Sequence, residues 1–377
     1  MWRHAPWPLL MVAAGIAALG VWNLISASRA AHSPLWKAQA YWLGVGLAVC
    51  LTIMLVDYRY LLRLAYPIYG VVLVLLIAVK LKGHAAMGAQ RWLDLGPMHL
   101  QPSELMKIAV ILVLARFYHD DPRHKEGYSL FDLWLPWLLV IPPVVLVLKQ
   151  PDLGTASMIA VVSGSLILFG KLRAWTLVVF AVLGLIGAVL GWGYYSHCNP
   201  GIPKAQRPKY CVLLKDYQLK RVSSFLDPEA DTLGSGYHAS QSLIAVGSGQ
   251  GWGKGWGEGS QTRLSFLPEQ HTDFIFSVWA EERGFFGAVV LVLLYLLMLL
   301  LAVGVAVNAR EKFGSFIAVG VTAMLFWQVF INIGMVTGMF PVVGVTLPLM
   351  SYGGSSVLTV MVGMGLLMNV GMRKYLF

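Results

Sequence analysis

The residues of this chain that could do chemistry lie where polar loops meet long apolar runs. Asp273 stands with His271 in PEQHTDFIF, residues 268–276, directly before a run of apolar and aromatic residues. A carboxylate that enters hydrocarbon unpaired costs several kcal/mol, so its presence at that boundary requires a reason. Because a single positioned carboxylate can serve as a general base, Asp273 is a candidate functional residue.

Four more charged residues occupy similar boundaries. Glu104 and Lys107 are three residues apart in QPSELMKIAV, a spacing that puts both on one helix face. They could form a structural ion pair, or Lys107 could meet a lipid phosphate. Arg91 in GAQRWLDLG fits either anchoring at headgroup level or phosphate binding. Asp152 in KQPDLGT either caps a helix or faces a polar cavity.

Two glycine-containing stretches predict departures from helix. The first is GSGQGWGKGWGEG, residues 247–259, which we call the glycine-rich tract. It lacks the spacing of a P-loop and of G-x-G-x-x-G, so it is interpreted as a flexible loop near lipid headgroups. The second is VGVTLPLMSYGGSS, whose prolines and glycines predict non-helical backbone at membrane depth. The sequence shows no nucleophile triad and no cluster with metal-ligand spacing.

The composition indicates a polytopic membrane protein. Of 377 residues, 58% are hydrophobic and 12% are charged, whereas soluble domains carry roughly a quarter charged residues. The mean hydropathy is +0.69. The formal charge of +10 is scattered through short loops, a distribution that follows the positive-inside rule and argues against nucleic-acid binding.

Apolar runs of about 20 residues predict ten membrane spans. The lysines and arginines of the short loops place both termini in the cytoplasm. Residues 195–273 then form one large extracytoplasmic loop between spans seven and eight, and residues 1–377 form a single all-α transmembrane domain. The fourth and sixth spans are short or begin at polar residues. The predicted spans are 8–27, 38–56, 64–82, 103–118, 131–149, 153–170, 174–194, 284–307, 314–336 and 354–371.

The three cysteines add one expectation about the large loop. Cys50 lies within an apolar run and is expected to contribute to packing. Cys198 and Cys211 flank a short stretch of the loop. If the loop faces an oxidising compartment, a disulfide between them could contribute about 3 kcal/mol.

Six stretches together are similar to the SEDS family, and to its elongation members more than to its division members. The similarity covers nearly the whole chain. The stretches are GAQRWLDLG, QPSE, QPDLGT, LDPEADTLGSGYHASQSLIAVGSG, GKGWGEGSQTRLSFLPEQHTDFIFSVWAEERG and PVVGVTLPLMSYGGSS.

This resemblance implies a peptidoglycan glycosyltransferase of the bacterial inner membrane. Its substrate would be lipid II, a disaccharide-pentapeptide joined through pyrophosphate to an undecaprenyl chain. Its partner would be a class B penicillin-binding protein, in addition to membrane lipids. The family's essential aspartate corresponds to Asp273, which we expect to deprotonate the acceptor hydroxyl in an inverting reaction. The substrate-binding residues are expected to be Arg91, Glu104, Lys107, Asp152, Arg221 and His271, with a divalent cation, Mg or Mn, as a further source of positive charge.

Three other functions stay open at the level of sequence. A lipid II flippase would also suit ten spans with broken helices, but the sequence shows no obvious inverted repeat and its polar residues gather on one side. A scaffold that activates a penicillin-binding protein through helix contacts would not need Asp273. A division-specific polymerase of the same family would use the same chemistry.

Overall fold

In the part of the chain that the structure describes, ten long helices form the body of the protein. The structure is a computed structural model that describes residues 5–29, 34–82, 84–86, 89–94, 99–122, 127–199, 201–202, 206–208, 211, 216–227, 234–264, 266–267 and 269–374. Each of the ten helices overlaps a predicted span, and the largest difference is at the helix that begins at Ile275, where the span was predicted from residue 284. They are α1 (Trp7–Ala27), α2 (Leu35–Leu55), α3 (Tyr58–Lys82), α4 (Pro102–Asp120), α5 (Trp134–Lys149), α6 (Leu153–Phe169), α7 (Ala174–Cys198), α11 (Ile275–Val307), α12 (Lys312–Val336) and α13 (Gly354–Met372).

Within the described residues, eight of these helices are long and apolar enough to cross a membrane. The other two are α4, which begins with Glu104 and Lys107, and α6, which has 17 residues. These are the two spans that the sequence marked as irregular. The predicted all-α polytopic fold is confirmed, and the protein is a multi-pass membrane protein.

The centre of the bundle consists of α12 and α13. Helix α13 packs along α2, while α12 packs against α4, α6 and α11. Glycines permit the close approach of α2 and α13, since a Cβ on Gly46 would lie 2.8 Å from the Met361 side chain and one on Gly365 would lie 3.0 Å from the Cys50 carbonyl. Helix α7, in contrast, is exposed along nearly its whole length and lies at the periphery.

A small antiparallel ribbon connects α3 to α4. Its strands are β1 (His84–Ala86), β2 (Ala89–Asp94) and β3 (His99–Leu100), in the order β1-β2-β3. Ala86 pairs with Ala89, and Leu93 pairs with Leu100. The stretch GAQRWLDLG, in which the sequence predicted no regular structure, thus contributes a strand that carries Arg91.

The glycine-rich tract packs on α11 at the point where that helix breaks. Gly284 has φ 66°, and the amide of the next residue, Phe285, donates to the Gln250 carbonyl at 2.8 Å. A Cβ on Gly253 would lie only 2.2 Å from the Glu282 carbonyl. Glycine is therefore required for the tract to reach the helix backbone. The tract is therefore not a free loop, because it supplies hydrogen bonds that the broken helix lacks, and its place near lipid headgroups stays a prediction.

The described part of the large loop contains three short helices and a disulfide. The helices are α8 (Asp216–Leu226), α9 (Ser235–Ser248) and α10 (Ser260–Arg263). Cys198, the last residue of α7, is bonded to Cys211, as the sequence allowed, and their Cα atoms are 5.5 Å apart. The remaining cysteine, Cys50, is free and buried. The disulfide ties the C-terminal end of the exposed helix α7 to Cys211, which precedes α8 in the chain.

Candidate active site

The backbone of Asp273 is fixed by a buried asparagine of α12. The Asn332 side-chain amide donates to the Asp273 carbonyl at 2.9 Å and to the Val345 carbonyl at 2.7 Å. Asn332 is fully buried, so both bonds form in a low-dielectric interior where an unmade bond is costly. Asp273 therefore has a defined place immediately before α11.

The segment between α12 and α13 supports the same turn from the other side. It has little regular structure, as the prolines and glycines of the sequence predicted. The Ser351 hydroxyl donates to the Thr272 carbonyl at 2.6 Å, and the Tyr352 amide donates to the His271 carbonyl at 2.9 Å. Backbone carbonyl groups of the turn before α11 thus have hydrogen-bond partners in the non-helical segment.

Two glycines let the Asp273 carboxylate and the start of α6 approach this segment. Gly344 has φ +78°, and a Cβ there would lie 3.3 Å from Oδ2 of Asp273. A Cβ on Gly154 would lie 2.6 Å from the Val343 carbonyl. The segment is therefore packed between the carboxylate and the N-terminus of α6, which brings Asp152 into the same region.

The surroundings of Asp273 favour its protonated form. Burial raises the pKa of Asp273 to about 6, and the negative charge of Glu269 adds to the rise. The positive charge of Arg221, and more weakly that of Arg91, acts in the opposite direction. The side chain still keeps accessible surface, so a substrate group can reach a carboxylate that protein largely encloses. A carboxylate with a pKa near neutrality and an open side suits general-base chemistry.

Arg221 and Arg91 supply positive charge near Asp273. Arg221, on α8, donates to the Val342 carbonyl at 2.9 Å. Arg91, on β2, donates to the carbonyls of Gln150 and Pro151. Among the described residues neither guanidinium has a carboxylate oxygen within 4.0 Å. Burial, followed by the charge of Arg91, lowers the pKa of Arg221 below its usual value. Binding of an anionic ligand by either arginine stays a prediction.

Asp152 caps α6 and also belongs to the electrostatic surroundings of Asp273. Its carboxylate accepts from the Thr155 amide at 3.1 Å, from the Thr155 hydroxyl at 2.9 Å and from the Gln101 side chain at 3.1 Å. This is the capping role that the sequence offered as one of two possibilities. The charge of Asp152 also raises the pKa of Asp273. Its contact with substrate stays a prediction.

Glu104 and Lys107 form a buried ion pair in the first turns of α4. Nζ of Lys107 lies 2.8 Å from Oε1 of Glu104, and the Lys107 residue is only 2% exposed. Oε2 of Glu104 has no hydrogen-bond partner within the described structure. The observed geometry is that of the structural pair which the sequence allowed. Substrate binding by either residue stays a prediction.

His271 lies at the edge of the site. Its Nε2 is 3.7 Å from Oε2 of Glu269, and its ring lies near that of Tyr352. The side chain is partly exposed. His271 therefore shares Glu269 as a neighbour with Asp273, and its contact with substrate also stays a prediction.

The described residues contain no group of three or more His, Cys, Asp or Glu that could hold a metal ion. Asp152 uses its oxygens to cap α6, and Glu269 accepts from the Thr272 hydroxyl at 3.2 Å. These residues do not form a protein cage for a divalent cation. Binding of Mg or Mn therefore stays a prediction.

Sequence reasoning missed two residues of the site. Asn332 is an amide within a long apolar helix, and a polar residue at that position is a signal that could have identified it. Glu269 stands in PEQHTDFIF and was overlooked beside His271 and Asp273. The convergence of Arg91, Arg221 and Asp273 has no signal in local pattern, since the three residues are far apart in the chain.

Comparison with known proteins gives the family. The FtsW/RodA/SpoVE family, described as "Cell cycle protein", matches residues 6–376. Peptidoglycan glycosyltransferase MrdB of Escherichia coli (strain K12) is 42% identical over 334 residues, which cover 87% of this chain and 83% of the relative. The probable peptidoglycan glycosyltransferase FtsW of Trichlorobacter lovleyi is 36% identical over 372 residues, covering 96% and 92%.

Two solved structures are similar along almost the entire chain. One is a chain from a structure described as "Structural coordination of polymerization and crosslinking by a peptidoglycan synthase complex". It superimposes with a TM-score of 0.79, at 34% identity and with 98% of each chain covered. The other is the crystal structure of Thermus thermophilus rod shape determining protein RodA, with a TM-score of 0.70, 31% identity and 99% of each chain covered. The chain therefore belongs to the FtsW/RodA/SpoVE family, the SEDS family that its motifs resemble.

Proposed function

We propose that this chain, a peptidoglycan glycosyltransferase as its relatives are, polymerises lipid II with Asp273 as the general base. One observation carries the proposal. An accessible carboxylate with a pKa near 6 lies in the electrostatic range of two arginines that have no ion-pair partner among the described residues. Proton removal and stabilisation of a departing anion are the two tasks that glycosyl transfer from a lipid diphosphate requires.

The reaction balances with these groups. Asp273 accepts the proton of the acceptor 4-hydroxyl while the hydroxyl oxygen forms a bond to the donor anomeric carbon. The bond from that carbon to the diphosphate oxygen breaks on the opposite face, and its electron pair leaves with the diphosphate. Direct displacement inverts an α-linked lipid phosphate into a β-1,4 linkage. A general base of this kind contributes roughly 10²–10⁴-fold.

The arginines receive the negative charge that develops on the leaving group. Arg221 and Arg91 are held by backbone carbonyls, so they are oriented before substrate arrives. Preorganised charges of this type need no rearrangement during the reaction. A divalent cation, Mg or Mn, would add positive charge at the diphosphate when bound, with oxygens of the substrate as its principal ligands.

The proposed topology places the site outside the cytoplasm. Lysines and arginines of the short loops favour cytoplasmic termini. The Cys198–Cys211 disulfide supports the same orientation, because disulfides persist in oxidising compartments. The similarity to a chain of a peptidoglycan synthase complex supports a class B penicillin-binding protein as partner. In this arrangement polymerisation and crosslinking take place on the same side of the membrane.

The decisive test is lipid II polymerisation by purified protein that carries Asp273→Asn. We expect a loss of at least 10²-fold in kcat with a folded protein. Asp120→Asn is the matched control, since Asp120 is an exposed carboxylate at the end of α4 paired with Arg116. Wild-type rates from a folded Asp273→Asn protein would exclude Asp273 as the base. In proteoliposomes, lipid II translocation without glycan chains would identify a flippase instead.

A further inference from the structure

Two arginines, one just after α1 and one at the break in α11, lie over tryptophan rings. Arg29 is two residues beyond α1, and its Cζ atom is 4.0 Å from the centre of the Trp256 ring. Arg283 directly precedes the break, and its Cζ atom is 3.7 Å from the centre of the Trp22 ring. The centres of the two rings are 6.4 Å apart. The four side chains therefore form one group, which we call the Arg–Trp cluster.

The guanidinium groups of the cluster keep their hydrogen-bonding capacity. Among the described residues, neither guanidinium donates a hydrogen bond, and neither has a carboxylate oxygen within 4.0 Å. The carboxylate beside Arg283 in the sequence, Glu282, is 1% exposed and accepts from the Ser26 hydroxyl inside the protein. A guanidinium that lies over a ring still presents its planar edge, whose N–H groups match two oxygens of a phosphate.

Three separate elements hold the cluster in place. Trp256 belongs to the glycine-rich tract, and its Nε1 donates to the Trp22 carbonyl of α1 at 3.4 Å. A Cβ on the next residue, Gly257, would lie 2.6 Å from Nη1 of Arg29, so glycine is needed for this approach. Because α1, the tract and α11 each contribute, the two cations are positioned before any ligand arrives.

An exposed face of α1 leads from the cluster towards the middle of the membrane. Met11, Gly15, Ala18 and Trp22 are spaced by three or four residues and are all exposed. Since α1 is a membrane-spanning candidate, this face meets the bilayer or another chain. A Cβ on Gly15 would have no atom within 4 Å, so a hydrocarbon chain can lie on the helix there. Tryptophan and arginine near the end of a span are typical of the headgroup level.

From these observations we propose that the Arg–Trp cluster binds the phosphodiester of an anionic glycerophospholipid, with an acyl chain along the exposed face of α1. Two cations favour a lipid with net negative charge, because the phosphate of a zwitterionic lipid is balanced by its own ammonium group. Binding there does not require the proposed reaction, since the ligand is a lipid of the surrounding membrane. The bound lipid would hold the glycine-rich tract against α1 and α11.

The test measures how tightly the full-length chain, purified in detergent, binds phosphatidylglycerol and phosphatidylcholine. Native mass spectrometry gives the two dissociation constants for wild type, Arg29→Gln, Arg283→Gln and the double variant. Arg263→Gln is the matched control, because it removes the same charge from an arginine on α10 that is 71% exposed and lies 3.5 Å from Glu258. Soluble glycerol 1-phosphate, added as a competitor, probes the headgroup alone. Thermal unfolding with each lipid reports binding to the folded state.

We expect wild type to bind phosphatidylglycerol at least about tenfold more tightly than phosphatidylcholine, because each arginine near a lipid phosphate contributes about fivefold. Arg29→Gln should reduce this preference about fivefold, and the double variant should bind both lipids within about twofold of each other. Arg263→Gln should retain the preference of wild type. Phosphatidylglycerol should also raise the unfolding temperature of wild type more than that of the double variant.

Equal binding of the two lipids by wild type would overturn the assignment, as would an unchanged preference in the double variant. Glycerol 1-phosphate that displaces the lipid at equal concentration would show a site for free anions and would also overturn it. Unchanged lipid preference together with loss of a co-purified protein would assign the cluster to an acidic partner instead. If Arg283→Gln does not fold, Arg29→Gln still decides, because Arg29 is exposed.

Discussion

The pH dependence of polymerisation should report the ionisation of Asp273. A general base must be unprotonated, and burial raises the pKa of this carboxyl from 3.8 to about 6. With an apparent pKa near 6, roughly nine-tenths of the free enzyme is active at pH 7 and roughly one-tenth at pH 5. We therefore expect kcat/KM for lipid II to fall about tenfold between those values.

The acid limb is the part of the pH–rate profile in which kcat/KM falls as the pH is lowered. Two substitutions that each remove one charge should move this limb in opposite directions. Glu269→Gln removes the negative charge that adds to the rise, so the pKa of Asp273 should fall and the limb should move to lower pH. Arg221→Met removes a positive charge, so the limb should move to higher pH. Since burial is the largest cause of the shift, the limb in Glu269→Gln should remain above the ordinary range of an aspartate.

The same shift predicts that Asp273→Asn stabilises the protein. A carboxyl whose pKa is raised on folding contributes its stability at low pH and loses that contribution as pH rises through the folded pKa. The difference between 3.8 and about 6, at 1.36 kcal/mol per unit, corresponds to about 3 kcal/mol at pH 8. Thermal unfolding of Asp273→Asn should therefore occur at higher temperature than wild type at pH 8, and the gap should close near pH 4.

The assay combines initial rates of glycan formation from pH 5 to pH 8 with thermal unfolding over the same range. If the acid limb of wild type lies near pH 4, the assignment of a raised pKa to Asp273 is wrong. The assignment is also wrong if neither Glu269→Gln nor Arg221→Met moves the limb. If Asp273→Asn is both inactive and less stable than wild type at pH 8, burial of the ionised carboxylate does not destabilise the folded protein. Loss of activity would then be no evidence for a base.

Three other predictions concern the supports of the site and the loop. Asn332→Ala should lower kcat at least tenfold with little change in KM, because it releases the backbone of Asp273; unchanged kcat in steady-state assays would contradict this. Cys211→Ser should lower the free energy of unfolding by about 3 kcal/mol, and dithiothreitol should lower the melting temperature of wild type but not of the variant. Lys254→Met should destabilise by about 2 kcal/mol, since it leaves the fully buried Glu281 without its cation, and adding Glu281→Gln should recover stability in a double-mutant cycle.

The sequence predicted the membrane helices well because a spanning helix needs only an apolar run of sufficient length. It predicted the eighth span from residue 284, whereas the helix begins at Ile275 and breaks at Gly284. The charges of Glu281 and Glu282 interrupt the hydropathy there, although both residues are buried in the helix. Hydropathy therefore located the part of α11 that faces lipid and missed the part that faces protein.

Apart from Asn332 and Glu269, the residues of the candidate site were named one at a time from the sequence, but their assembly was not. Asp273 was identifiable because a carboxylate beside a span is costly, and Asp152 because an aspartate before a helix is a common cap. The pairing of Glu104 with Lys107 followed from their helical spacing. That Arg221 and Arg91 share the surroundings of Asp273 depends on how α8 and β2 are folded against the segment after α12, and no local pattern encodes that packing.

The residues of the candidate site lie where the apolar pattern of the chain is interrupted. Asp273 lies where α11 begins, Asp152 where α6 begins, and Gly344 in the non-helical segment between α12 and α13. Each break exposes backbone N–H or carbonyl groups that must be satisfied, and each places polar side chains beside them. The N-termini of α6 and α11 also carry partial positive charge, which favours anions in the region between them. A membrane enzyme that must hold a lipid diphosphate can use the polar side chains and partial positive charge at helix ends. A continuous apolar span provides neither. The positions at which hydropathy fails are therefore the first places to search for catalytic groups in such a chain.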